Sequence, residues 1–355
     1  MYSSEPGAMM AIRSDVTYSL LLVEDNPGDA RLIEIMLGDV GGCTIEKADS
    51  LAKAVAKLAE FRPDAILLDL SLPDGQGLTV IDCIRAAAPT IPVIVVTGLQ
   101  DEEMALKAVQ HGCQDYLVKG EGDGNLIRRA VLYSIERMAM DVEREEYAKR
   151  LKQVLRQTVR TVSLTLEMRD PYTTGHQRRV AQIAGAIGRR LGLSAEVIEG
   201  IETGSLIHDI GKIQIPAEFL SRPGKLSYEA FQVIKTHPRM GWEIVRNIDF
   251  PWPVAEMVQQ HHECMDGSGY PDGLKGDQII LEARIIAVAD VFEAIVSHRP
   301  YRPALGLESA IAEIKAFSGI RYDPAVVQAC IEIVEERGGV PFDEDVSDVL
   351  VRRSP

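Results

Sequence analysis

The chain has 355 residues, 46% of them hydrophobic and 26% charged, which is the composition of a water-soluble protein with room for two domains, each burying its own core. A formal charge of −15 repels a polyanion and sets nonspecific nucleic-acid binding aside, and no apolar run approaches the length needed to cross a bilayer. Five scattered cysteines (Cys43, Cys83, Cys113, Cys264, Cys330) without a C-x-x-C pair fit a reduced compartment and argue against a thiolate metal site.

The first 17 residues read as a tail. The start, "MYSSEPGAMMAIRSDVTYSL", has acids and a Pro-Gly pair where a signal peptide needs a basic start and an unbroken apolar stretch, so a cytoplasmic protein is expected. From residue 18 to about 137 the pattern alternates. Short β-branched or leucine-rich runs, "YSLLLVED", "DAILLDL", "IPVIVVTG" and "QDYLVKG", are separated by amphipathic stretches such as "SLAKAVAKLAEF". This predicts a doubly wound α/β fold on a central parallel sheet, with its site at the carboxyl ends of the strands. The residues closing those runs are Glu24 and Asp25, Asp69, Thr97 and Lys119. Three carboxylates on one edge repel one another unless a hard cation sits between them, and Mg²⁺ is the natural choice. Lys119 and Thr97 would supply positive charge and a hydroxyl donor to an added phosphoryl group.

In order and approximate spacing, "LVEDN", "LLDLSLPDGQG", "VVTG" and "YLVKG" resemble the receiver domain of two-component response regulators. The resemblance implies that Asp69 is the phosphoacceptor, that Glu24 and Asp25 help it hold Mg²⁺, that Thr97, Lys119 and the aromatic Tyr116 form the switch, and that a sensor histidine kinase is the partner.

Residues 135–170 contain no Gly and no Pro and are dense in helix formers, so one long helix should continue the last receiver helix through a linker at 138–159. Leu151, Leu155, Val162 and Leu166 approximate a seam, which fits a coiled-coil homodimer contact or packing onto the chain's own domain.

Five of the seven histidines, His176, His208, His237, His261 and His262, fall in the helical remainder, 160–355. Acids accompany them: Asp209 follows His208 in "LIHDIGK" and Asp290 ends "ARIIAVAD". Imidazole with carboxylate suits Fe, Mn, Ni, Co or Zn. These seven groups exceed the needs of one ion; two ions roughly 3.5–4 Å apart would use them all and clamp a phosphorus centre for in-line attack. Lys212, four residues beyond His208, would share its helix face and neutralise transition-state charge.

"GHQRRV", "HDIGK", "HP", "HHECMDGSGYP" and "VADVFEAIVSHRPYR" resemble the HD-GYP family of HD-domain phosphohydrolases over about residues 160–335. The resemblance implies an all-α fold and hydrolysis of cyclic di-GMP to pGpG or GMP, with Fe or Mn the first choice of metal. By position it implies one metal on His176, His208 and Asp290, another on His237, His261 and His262, and Asp209 bridging. Arg299 and Arg302 fall where the family contacts substrate, and Tyr270 looks like a wall of the substrate pocket. Gly267 and Gly269 are expected to permit tight turns. Two departures stand out: Tyr172 replaces a glutamate that some members use for a third metal, and Glu293 replaces the usual Asp of "ADVFDA".

Overall fold

The computed structural model describes residues 17–98, 102–120, 122–169, 175–220, 227–297 and 305–336. The chain divides into two compact units, Met1–Leu151 and Lys152–Pro355.

The first unit is the expected doubly wound domain. Strands β1 (Tyr18–Val23), β2 (Cys43–Ala48), β3 (Ala65–Leu68), β6 (Val93–Thr97) and β7 (Asp115–Val118) form one parallel sheet in the order β2-β1-β3-β6-β7. A small antiparallel hairpin, β4 (Ser71–Leu72) with β5 (Gly75–Gln76), follows Asp69 and was not foreseen. Helices α1 (Pro27–Val40), α2 (Leu51–Glu60), α3 (Leu78–Ala87) and α4 (Glu102–Gln110) occupy the crossovers. β3 and β6 are buried throughout because apolar clusters cover both faces of the sheet, which is why their sequences run apolar without alternation. The turn leaving β1 is fixed by Asn26, whose side chain accepts from the Gly28 and Asp29 amides and caps α1.

Helix α5 runs unbroken from Gly124 to Arg169, 46 residues. The expected seam divides along it. Leu151 and Leu155 are exposed, whereas Leu166 is buried and Val162 packs beside it in a core shared with Ile207, Val245 and Val258 of the second unit. The later half of the seam thus belongs to its own domain.

The second unit is all α. α6 (His176–Arg190), α7 (Ala195–Ile207) and α12 (Leu281–Val296) enclose the main core with α13 (Leu307–Ala316) and α14 (Pro324–Glu336). Between them lie α8 (Ala217–Leu220), α9 (Tyr228–Ile234), α10 (His237–Val245) and α11 (Val254–Gln260). No helix among the described residues is long and apolar enough to cross a membrane.

Two local expectations need correcting. His208 and Lys212 do not share a helix: α7 stops at Ile207, and the chain turns through Asp209 into a tight 3₁₀ helix, Ile210–Gln214. The cause is close approach. A Cβ on Gly211 would lie 1.9 Å from the His237 carbonyl oxygen and 2.6 Å from the Gly241 nitrogen, so only glycine lets this segment lie against α10. The two loop glycines also differ. Gly267 has φ +81 and serves a turn, but Gly269 is needed because a Cβ there would lie 2.4 Å from the Cys264 nitrogen.

Candidate functional site

The helical unit brings together all seven expected ligand residues. They form two groups, Asp209 with His237, His261 and His262, and His176 with His208 and Asp290; within each, one potential ligand atom per residue lies within 4.8 Å of the others. Asp209 faces both groups, with Oδ1 3.2 Å from His237 Nε2 and Oδ2 3.5 Å from His208 Nε2.

Helix ends aim these side chains. His208 and His261 terminate α7 and α11, and His237 opens α10. In each, Nδ1 bonds a backbone carbonyl three residues earlier: His208 to Ser205 at 2.6 Å, His237 to Ile234 at 2.8 Å and His261 to Val258 at 2.7 Å. That leaves the proton on Nδ1 and a lone pair on Nε2, the ligand form. Burial pushes the His208 imidazole below its ordinary value, His261 well below it and His262 down to about 3, so all three are neutral.

A cation fits what surrounds these lone pairs. Nε2 of His237 and Nε2 of His261 face each other at 3.3 Å, a repulsive approach of two acceptors unless a positive charge sits beside them. His208 Nε2 is buried without a hydrogen-bond partner. Asp209 remains ionised although burial opposes it, because the Lys212 ammonium holds its carboxyl well below the usual range; Lys212 Nζ donates to Oδ2 at 2.6 Å.

His176 is held differently, by a residue that the sequence marked only as a departure from the family pattern. Asp290 and Glu293, three apart on α12, present both carboxylates to α6. Asp290 Oδ1 lies 3.2 Å from His176 Nε2, while Glu293 Oε2 makes a short bond with Nδ1. Glu293 is buried, and its Oε1 accepts from Arg179 Nε at 2.7 Å and Ser297 Oγ at 2.5 Å. Burial opposes the Glu293 charge, but the His176 bond outweighs it and lowers the carboxyl to about 2; reciprocally, burial depresses His176, but Asp290 and Glu293 raise it to about 9. The signal was the i, i+3 spacing of two acids within an otherwise apolar helix.

Sequence reasoning missed Glu263. Buried beside the histidine pair, it accepts the Asp272, Gly273 and Leu274 amides at 2.7, 3.1 and 3.0 Å and so pins the glycine-rich loop. Tyr270, within that loop, lays its ring 4.8 Å from His262 at 35° between planes. Burial raises its phenol above the ordinary value. Arg299, Arg302 and Tyr172 lie outside the described residues.

In the α/β unit Glu24, Asp25 and Asp69 cluster at the sheet's carboxyl edge, Glu24 and Asp69 buried and Asp25 exposed. Lys119 Nζ contacts Glu24 Oε2 at 2.5 Å, Asp69 Oδ2 at 2.6 Å and Asp29 Oδ2 at 3.0 Å. Burial depresses this ammonium, but its three carboxylate bonds outweigh that and raise it above its ordinary value. Asp29 was not anticipated. Thr97 is buried where β6 ends, and half-buried Tyr116 packs on the core of the same unit.

Comparison with known proteins agrees with this division. Residues 160–326 match the family described as HD domain, and residues 20–131 the response regulator receiver domain. The chain is 33% identical to a cyclic di-GMP phosphodiesterase of Thermotoga maritima over 93% of this chain and 95% of that protein. It is equally 33% identical to the cyclic di-GMP phosphodiesterase response regulator RpfG of Xanthomonas campestris, covering 93% of this chain and 91% of that one. A 3'3'-cGAMP-specific phosphodiesterase of Vibrio cholerae is 35% identical over 51% of this chain and 40% of its own length. With a receiver site on one unit and a histidine-carboxylate centre on the other, the chain belongs to the family of response regulators that join a receiver domain to a metal-dependent HD-domain hydrolase.

Proposed function

We propose that the helical domain hydrolyses cyclic di-GMP to pGpG or GMP in the cytoplasm, under control of phosphorylation at Asp69 by a sensor histidine kinase. The observation that carries this reading is the paired ligand set with Asp209 turned to both groups, 3.2 Å from His237 and 3.5 Å from His208. His176, His208 and Asp290 would hold one cation and His237, His261 and His262 the other, with Asp209 shared. The donor set, neutral imidazole with carboxylate, favours Fe or Mn and also accepts Ni, Co or Zn. Two such ions supply Lewis acidity, making water a nucleophile near neutral pH and drawing charge from phosphoryl oxygens.

The chain's own residues prepare the centre for that work. Backbone carbonyls and Glu293 fix the ring orientations. Lys212, bonded to Asp209 at 2.6 Å, brings an ammonium to the edge where charge accumulates on the phosphoryl group. Tyr270 walls the pocket beside His262, and Arg299 and Arg302 complete the substrate contacts. In the receiver domain, Glu24, Asp25 and Asp69 would hold Mg²⁺, and Lys119, now shared among three carboxylates, would turn to the phosphoryl group with Thr97 and Tyr116 following. The exposed stretch of α5 around Leu151 and Leu155 suits a homodimer seam.

The test is turnover of cyclic di-GMP by purified protein loaded with Mn²⁺ or Fe²⁺, with products separated by chromatography. Product formation that disappears in Asp209→Ala is expected. No turnover with metal shown bound, both with and without oxygen, removes the proposal. Beryllofluoride should change the rate; an unchanged rate and oligomeric state would remove the phosphorylation control alone.

A further inference from the structure

We propose that Phe231, Lys235 and Tyr270 form a guanine-reading subsite beside the metal centre, with Lys235 determining which purine is accepted. This deepens the cyclic-dinucleotide reading above and rests on it. Lys235 caps the C-terminus of α9, two residues before His237. Its Nζ lies 5.1 Å from the centroid of the Phe231 ring and 5.1 Å from that of Tyr270. The Tyr270 ring in turn stacks 4.8 Å from His262, so a continuous ladder of rings leads from a candidate ligand outward to an ammonium.

Two features of this ladder are not explained by folding. First, among the described residues no carboxylate lies within ion-pair distance of Lys235, whereas the other lysine near the centre, Lys212, is bonded to Asp209. Second, Phe231 keeps 42% of its surface in water, and Tyr228, one turn earlier, keeps 75%. A cation–π contact to Phe231 alone would fasten the end of α9, but it would not require the second ring from the glycine-rich loop.

A phosphate needs only the cation. A nucleobase needs a flat apolar face and a donor at its edge, and an exposed phenyl ring with an adjoining ammonium offers both. Guanine turns two acceptors, O6 and N7, to such a donor, whereas adenine replaces O6 with an amino group that would face the ammonium donor to donor. The subsite therefore favours guanine.

The experiment is calorimetric titration of the full-length, Mn²⁺-loaded protein with hydrolysis-resistant bis-phosphorothioate analogues of cyclic di-GMP and cyclic di-AMP. The unaltered protein should prefer the guanine analogue by about tenfold, the size of one good base-edge contact. Lys235→Met should bring the two affinities within about twofold by weakening guanine, Lys235→Arg should restore the preference, and Phe231→Ala should weaken both by about tenfold. A preference undiminished in Lys235→Met, no preference in the unaltered protein, or Phe231→Ala binding as tightly as the parent overturns the subsite. Equal loss of both analogues in Lys235→Met also overturns it, since that is the signature of a phosphate contact. A guanine preference without turnover of cyclic di-GMP would sink the hydrolytic reading and leave the subsite standing.

Discussion

Replacing Glu293 by Gln separates the two halves of the metal centre. Glu293 is 1% exposed and uses its oxygens separately, Oε2 on His176 Nδ1 and Oε1 on Arg179 Nε at 2.7 Å and Ser297 Oγ at 2.5 Å. Glutamine keeps the shape but has one oxygen, so its amino group must face either the imidazole or the guanidinium. Facing the imidazole, it drives the ring proton to Nε2 and removes the lone pair. Facing the guanidinium, it sets donor against donor. Either outcome costs one charge-assisted hydrogen bond, about 1.5–3 kcal/mol, which corresponds to about 10–100-fold in affinity for a metal whose outer partner is lost. The loss should fall on one site only, because His237 and His261 take their orientation from the Ile234 and Val258 carbonyls, which the substitution does not touch. Competition of Mn²⁺ binding against a fluorescent chelator resolves two affinities, and one of them should weaken by that factor while the other holds. Two unchanged affinities, or two that fall together, would refute the role assigned to Glu293.

Gly211→Ala places a methyl 1.9 Å from the His237 carbonyl and 2.6 Å from the Gly241 nitrogen, both backbone atoms, so the 3₁₀ helix must retreat from α10; a loss of at least ~1–3 kcal/mol in chemical denaturation is expected, and an unchanged midpoint would contradict the close approach. Stripping the metals leaves the His237 and His261 lone pairs 3.3 Å apart with no charge beside them. At a thousandfold excess over Kd each ion contributes about 4 kcal/mol, so chelation should lower Tm of the helical domain by about 8–16 °C per ion, and a shift below about 2 °C would argue against bound cations. Asp69→Asn should abolish phosphoryl transfer from acetyl phosphate, read as a mobility shift on phosphate-affinity gels, and residual labelling would place the acceptor elsewhere.

The parts of this protein that can be read from its sequence are those where one local rule decides. β3 and β6 are buried on both faces, so they appear as unbroken apolar runs, and the polar residues that end them, Asp69 and Thr97, stand out against that background. The five histidines of the helical domain stand out in the same way, because imidazoles paired with acids inside apolar helices have few uses other than metal binding. What stays hidden is whatever depends on two distant segments touching. The tight turn after Asp209 follows from Gly211 lying against α10, and neither segment alone announces it. The seam on α5 shows the limit most plainly: Leu151, Leu155, Val162 and Leu166 carry one periodicity, yet Leu166 is buried under Ile207 and Val245 while Leu151 remains in solvent. Periodicity identifies the face of a helix that wants cover but not what covers it. The same reasoning applies to the centre: residue types announce His176 as a candidate ligand, but only the fold reveals that Glu293 accepts its Nδ1 hydrogen bond and turns Nε2 toward Asp290.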